Sequence, residues 1–145
     1  MMKLTEHFTI EELTFSDYAI RHGIDNTPTE GSKENLLLLA KLLEEVRSLL
    51  GNMPLRILSG YRNNAVNTGI GGVDNSQHRF GCAADCTHKY LSVEECCKQI
   101  IASNIQFDQV INEYDSWFHI SIPDKEIHRA RRQPLRKDQE GYKPF

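Results

Sequence analysis

Between Leu36 and Leu50 the apolar positions Leu36, Leu39, Leu42, Leu43, Val46, Leu49 and Leu50 recur by threes and fours. That spacing lays one apolar stripe along a long helix, and Gly51 ends it. Thr27-Pro-Thr-Glu30 marks its start as a capping box, with Pro28 at the first helical position, where a missing N–H costs nothing. Thr9-Ile-Glu-Glu12 carries the same signature and opens a short helix. A second short helix is predicted over Ser16–His22, stopping at Gly23, and Ser92 with Glu95 starts another that runs to about Ser103. Asn63–Thr68 has the composition of a short helix and Gly69–Asn75 that of a glycine-rich loop. The runs Leu55–Leu58, Ala83–Thr87, Phe107–Tyr114 and Trp117–Ile122 read as strands, the last two joined by a tight turn near Asp115-Ser116. Helices come early and strands late. The expected class is α+β, with helices packed on a small, mostly antiparallel sheet.

From about Asp124 the periodicity is lost. The reading is a single domain over residues 1–124 and a polar C-terminal arm over 125–145. Arg129, Arg131, Arg132, Arg136 and Lys137 make the arm basic; it reads as a solvated or loosely packed arm, with attraction to an anionic polymer as the alternative.

A length of 145 residues suits one domain with its own core. Hydrophobic residues at 39% and charged residues at 26% exclude collagen, a coiled-coil rod and a disordered chain. Seventeen basic against twenty acidic residues, a net charge of −3, argues against a nucleic-acid binder. No apolar run reaches the roughly 18–20 residues of a membrane span. The start, MMKLTEHFTIEEL, has no apolar core of a secretory leader, so cytoplasmic synthesis without a signal peptide is expected. Cys82, Cys86, Cys96 and Cys97 are then expected as reduced thiols behaving as small apolar residues. A monomer is expected.

Strand phase separates candidate chemistry from core. In the last strand Phe118, Ile120 and Ile122 share the apolar face, so Trp117, His119 and Ser121 share the other. Asp85 is likewise out of phase with Ala84 and Cys86, and His78 precedes its strand. Two histidines and one carboxylate are a common zinc set that leaves a fourth position for water. Glu113 and Asp115 are within chain reach as a general base. A rival cluster of His78, Cys82, Cys86 and His88 would make a closed structural zinc site, but phase puts Cys86 on the core side. His88 and His128 read as surface residues, and His7 and His22 have no partner identifiable from sequence.

Ser76-Gln-His-Arg-Phe-Gly-Cys-Ala-Ala-Asp85 fits the pattern S-x-H-x-x-G-x-A-x-D at all five fixed positions. It resembles the first zinc motif of the D-alanyl-D-alanine peptidase family, peptidase M15, whose fold is shared with the signalling domain of hedgehog proteins. Leu58-Ser-Gly-Tyr-Arg62 resembles the family's strand end with a substrate-facing arginine, and Trp117-Phe-His-Ile-Ser121 the strand with the third ligand. The similarity covers roughly residues 4–122. It implies one Zn2+ per chain on His78, Asp85 and His119, with Ser76 and Arg62 binding substrate and Arg62 also stabilising the oxyanion. The chain departs from the pattern at the base. Some members carry glutamate three residues before the last histidine, where this chain has Ser116; others carry it six before, where it has Glu113. The resemblance thus implies Glu113 as the base, with Asp115 as the alternative.

The expected function is a zinc peptidase cutting peptidoglycan stem peptides, as a D-Ala-D-Ala carboxypeptidase or an endolysin-type endopeptidase. In a phage or prophage setting it would act on the cell wall once released. The alternative is a non-catalytic cell-wall-binding or phage structural module that keeps the fold.

Overall fold

The computed structural model describes residues 2–124 and 129–145. Three helices come first: α1 (Ile10–Thr14), α2 (Asp17–Arg21) and α3 (Glu30–Leu49). β1 (Leu55–Ser59), α4 (Asn64–Gly69), a 3₁₀ turn (Gln77–Phe80), β2 (Ala83–His88) and α5 (Val93–Ala102) follow. β3 (Gln109–Glu113), β4 (Trp117–Ser121), β5 (Gln133–Asp138) and β6 (Gly141–Pro144) complete the chain. No helix among the described residues is long and apolar enough to cross a membrane.

Side-chain caps open the helices. Thr9 accepts from the Glu12 amide, Ser16 from Ala19, Asn63 from Val66 and Ser92 from Glu95. α3 starts two residues later than Thr27 and Pro28 would place it. Thr29 is its cap and accepts from Ser32 N, because the Thr27 hydroxyl and amide are both engaged by Asp25 Oδ1, at 2.6 and 3.0 Å. α3 buries Leu36, Leu39, Leu42, Leu43 and Val46, while Leu49 stays exposed.

The six strands form one mixed sheet in the order β1-β2-β4-β3-β5-β6. All neighbours are antiparallel except β3 and β5, which run parallel. One face packs Ala84, Cys86, Val110, Phe118 and Ile120 against Leu36, Leu39, Leu42 and Leu43 of α3 and Ile100 of α5, all of them buried. All four cysteines are thiols outside any disulfide and are fully buried.

The opposite face carries two rows of side chains in register. Asp85, His119 and Ile111 lie side by side on β2, β4 and β3, followed by Leu135 on β5. One pleat further along lie Trp117, Glu113, Lys137 and Tyr142 on β4, β3, β5 and β6. Residues in register across a sheet share a face within contact range, so the pairing alone gathers these groups.

The C-terminal segment is the main departure from expectation. Of the polar arm foreseen for residues 125–145, residues 125–128 lie outside the described residues, and the rest supplies β5 and β6, which extend the sheet beyond β3. Its cations are largely spent inside the fold. Arg131 clamps Asp108, and Arg132 donates to the carbonyls of Ser103 and Ile105 while lying over the Phe107 ring. Arg136 forks onto Glu94 of α5 and sits 3.9 Å from the Phe145 ring centroid. Only Leu135 is aliphatic in β5, so the strand gives almost no apolar alternation to read.

The β3–β4 turn is centred on Tyr114 and Asp115, both at positive φ (60° and 55°), one residue before the expected site. Ser116 N closes it onto Glu113 O at 3.0 Å. Asn112 holds it by accepting from Asp115 N at 3.0 Å and donating to Asp115 Oδ1 at 2.8 Å.

Candidate metal centre and cleft

His78, Asp85 and His119 present ligand atoms that all lie within 4.8 Å of one another. Each comes from a different element. His78 sits on the 3₁₀ turn, whose cap Ser76 accepts from the His78 amide at 3.3 Å. The turn ends at Gly81 with φ 77°, where a Cβ would stand 2.7 Å from the Ser32 carbonyl oxygen. Only glycine tolerates both that backbone and that contact, which gives the motif's fixed glycine a physical reason. Asp85 and His119 are direct cross-strand neighbours on β2 and β4.

Hydrogen bonding sets the donor atoms. His78 Nδ1 lies 2.7 Å from the Gly60 carbonyl, which can only accept, so Nδ1 carries the proton and Nε2 carries the lone pair open to a metal. Nε2 faces Asp85 Oδ1 at 3.3 Å. His119 Nδ1 approaches the same oxygen at 3.2 Å. Burial pushes the His78 pKa down and keeps the ring neutral. Burial alone would raise the pKa of Asp85, but the rings of His78 and His119, which are charged at the low pH where this carboxyl titrates, outweigh it and hold it well below its usual range. Two imidazoles and an ionised carboxylate converging in a largely buried corner fit a divalent metal of the zinc type.

Glu113 lies on the same face, with Oε1 3.9 Å from His119 Nδ1. Its pKa is raised, first by burial and then by the Asp85 charge; His119, Lys137 and Trp117 pull the other way. Asp115, the alternative base, is turned into the β3–β4 turn and bound to Asn112. Arg62 follows β1 and donates its amide to the His78 carbonyl at 3.0 Å. Its Nη2 reaches Ser76 Oγ at 3.4 Å, and its Nε is buried without a hydrogen bond among the described residues. Burial lowers the Arg62 pKa, against the support of the Asp85 and Glu113 carboxylates. The five residues Arg62, His78, Asp85, Glu113 and His119, together with Ser76, line a single cleft of about 300 Å³.

The rival thiolate cluster is not assembled: Cys82 and Cys86 belong to the core. His88, read as a surface residue, is half-buried and structural. Its Nε2 meets the Leu50 carbonyl at 2.9 Å, and its Nδ1 accepts from the Tyr90 and Leu91 amides. His7 pairs with Glu44 at 2.7 Å and His22 stacks on Tyr18. His128 lies outside the described residues.

Sequence reasoning missed three groups here. Lys137 and Tyr142 form the far wall of the cleft, with Lys137 Nζ 5.0 Å from the Tyr142 ring and 5.9 Å from that of Tyr114. Gln77 lies behind His119, with Oε1 3.4 Å from its Nε2. Gln77 falls at an unspecified position of the motif, and nothing in the pattern marks it.

Comparison with known proteins agrees with this geometry. Over 54 residues the chain is 33% identical to a zinc D-Ala-D-Ala carboxypeptidase of Streptomyces albus G. That stretch is 37% of this chain and 21% of the relative, so the likeness concerns a fraction of the other protein. The family described as Peptidase M15 matches residues 6–121, a span that holds α1 through β4 and Arg62, Ser76, His78, Asp85, Glu113 and His119 of the cleft, while Lys137 and Tyr142 lie beyond it. The chain belongs to the peptidase M15 family.

Proposed function

We propose that the protein is a zinc-dependent peptidase that hydrolyses peptide bonds in bacterial peptidoglycan stem peptides, on a hedgehog-like fold. D-Ala-D-Ala ends and internal stem-peptide links are both within this reading. One observation carries it: a largely buried carboxylate with a raised pKa, Glu113, stands beside a convergent His-Asp-His set and faces the same cleft as Arg62. A carboxylate desolvated in a cleft beside groups able to hold a metal has the setting of a general base.

The chain's own groups divide the work. His78 through Nε2, Asp85 and His119 would hold the zinc. When bound, zinc supplies Lewis-acid polarisation of the scissile carbonyl and of the attacking water. Glu113 takes a proton from that water and returns it to the leaving amine; its raised pKa suits both directions. Arg62 offers a permanent cation to the developing oxyanion or to a substrate carboxylate, and Ser76 adds a hydroxyl. The family and the zinc D-Ala-D-Ala carboxypeptidase relative support a peptide substrate of the stem-peptide type.

The test combines zinc content by elemental analysis with digestion of purified peptidoglycan by wild type and Glu113→Gln. The expected result is about one zinc per chain in both proteins, as in a three-ligand catalytic site. New amino termini should appear with wild type, and the rate in the variant should fall by roughly 10²–10⁴-fold. Zinc without cleavage by either protein would point to a non-catalytic wall-binding module. No zinc in wild type would remove the reading.

A further inference from the structure

Behind His119, on the side away from Asp85, runs a chain of polar groups that the proposed reaction does not use. Asp108, with no exposed surface, accepts from Arg131 N at 3.2 Å, Arg131 Nε at 2.9 Å and Arg131 Nη2 at 2.7 Å. Its Oδ2 also accepts from Gln77 Nε2 at 2.8 Å. The second hydrogen of that amide points to the Ile122 carbonyl at 3.3 Å.

These contacts decide which way round Gln77 lies. A carboxylate held by an arginine fork and a backbone carbonyl are both acceptors only, so the amide end facing them must be the NH₂. The other end, Oε1, is then an acceptor, and it faces His119 Nε2 at 3.4 Å. An acceptor there calls for a proton on Nε2. A neutral imidazole with its proton on Nε2 has its lone pair on Nδ1, the atom that faces Asp85. The reverse form would set a ring lone pair against the Gln77 oxygen.

We propose that Gln77, clamped by Asp108 and Arg131, is a positioning residue that commits His119 to binding metal through Nδ1. The inference rests on the zinc reading above. It assigns a role to Arg131, which lies beyond the span matched by the family, in the segment expected to be a free arm. Partners of this kind behind a metal-binding histidine typically matter about 10–100-fold in metal affinity.

The experiment measures zinc dissociation constants by competition with a chromophoric chelator for wild type, Gln77→Met, Asp108→Asn and the double variant. Gln77→Met keeps length but removes the acceptor, and leaves Asp108 its three bonds from Arg131. Asp108→Asn turns a donor toward Gln77, flips its amide and sets NH₂ against His119 Nε2–H. Each single variant should bind zinc roughly 10–100-fold more weakly, and the double variant no more weakly than Gln77→Met, because Asp108 acts through Gln77. In ¹⁵N-histidine spectra of the zinc-loaded proteins, the His119 Nε2–H resonance should be protected in wild type and lost to exchange in Gln77→Met. The His78 Nδ1–H on Gly60 is untouched and serves as internal control. Unchanged affinity in Gln77→Met overturns the proposal. Losses that simply add in the double variant, or a His119 signal that persists, overturn it as well, since both indicate a merely structural role. Should Asp108→Asn not fold, affinity and the His119 signal of Gln77→Met decide alone. A wild type that binds no zinc would sink the zinc reading itself, an outcome distinct from a zinc-binding wild type matched by its variants.

Discussion

Gly60→Ala should be among the most damaging single-methyl additions in the chain, although Gly60 is not one of the residues at positive φ. A Cβ at this position would stand 2.3 Å from the Leu13 carbonyl oxygen and 3.0 Å from its carbon. Both are backbone atoms at the end of a buried helix residue, so no side-chain rotation relieves the clash. The Leu13 oxygen accepts from the Tyr61 amide at 2.7 Å, and Tyr61 is itself buried. Pushing α1 away therefore breaks a buried hydrogen bond, at about 1–3 kcal/mol. Overpacking adds roughly 1–3 kcal/mol more. For 145 residues the entropy of unfolding is about 0.3 kcal/mol per degree. The melting temperature of the metal-free protein should thus fall by about 7–20 °C in calorimetry. Gly23→Ala is the control: φ is +65° there but nothing lies within 4 Å of the new carbon, so only the backbone cost of roughly 1–2 kcal/mol applies. The Gly60 carbonyl is also the acceptor for His78 Nδ1, so the same variant should weaken zinc binding. A Gly60→Ala melting temperature within about 2 °C of wild type, or a larger loss in Gly23→Ala, would refute the argument from close packing.

Burial pushes the Cys96 thiol up to about 11 and the Cys97 thiol up to about 12, and raises that of Cys86 well above its ordinary value. Thiol reagents at about pH 8 should therefore label none of these three in the native protein, and all of them after denaturation. Glu94 has its pKa lowered, first by the Arg136 hydrogen bond, so its contribution to stability is present above the ordinary glutamate range and is lost as pH falls through the depressed folded value. Because the pair is about a third exposed and screened by solvent, Glu94→Gln should cost no more than about 1 kcal/mol at neutral pH in denaturant titrations. That gap should close towards pH 3; a gap that widens in acid would contradict the assignment.

Local chemistry made much of this fold legible. Hydroxyl and amide caps at Thr9, Ser16, Asn63 and Ser92 act within three residues of themselves, and they appear where capping rules place them. The α3 start was misplaced because Thr27 and Thr29 are chemically equal candidates, and Asp25, outside the capping box, captures Thr27. Strand phase separated Phe118 and Ile120 from His119 because one face of β4 meets a packed core. Phase also kept Cys86 out of any metal cluster for the same reason.

What stayed hidden is what depends on long-range pairing. β5 has one aliphatic residue, and its place in the sheet comes from a parallel ladder with β3 and from ion pairs to Glu94 and Asp108. A run of arginines carries no label saying whether it faces solvent or a buried carboxylate; the partners lie over twenty residues away in sequence. Yet that pairing completes the site. It brings Lys137 into the row of Trp117 and Glu113, and Tyr142 after it, so the wall of the cleft opposite Arg62 is built from the segment that looked least structured. The same pairing places Arg131 on Asp108, and through Gln77 that contact reaches His119. The motif supplies groups able to hold a metal, and the polar C-terminal segment anchors the partner of one of them through Arg131 and adds Lys137 and Tyr142 to the walls that a substrate would meet.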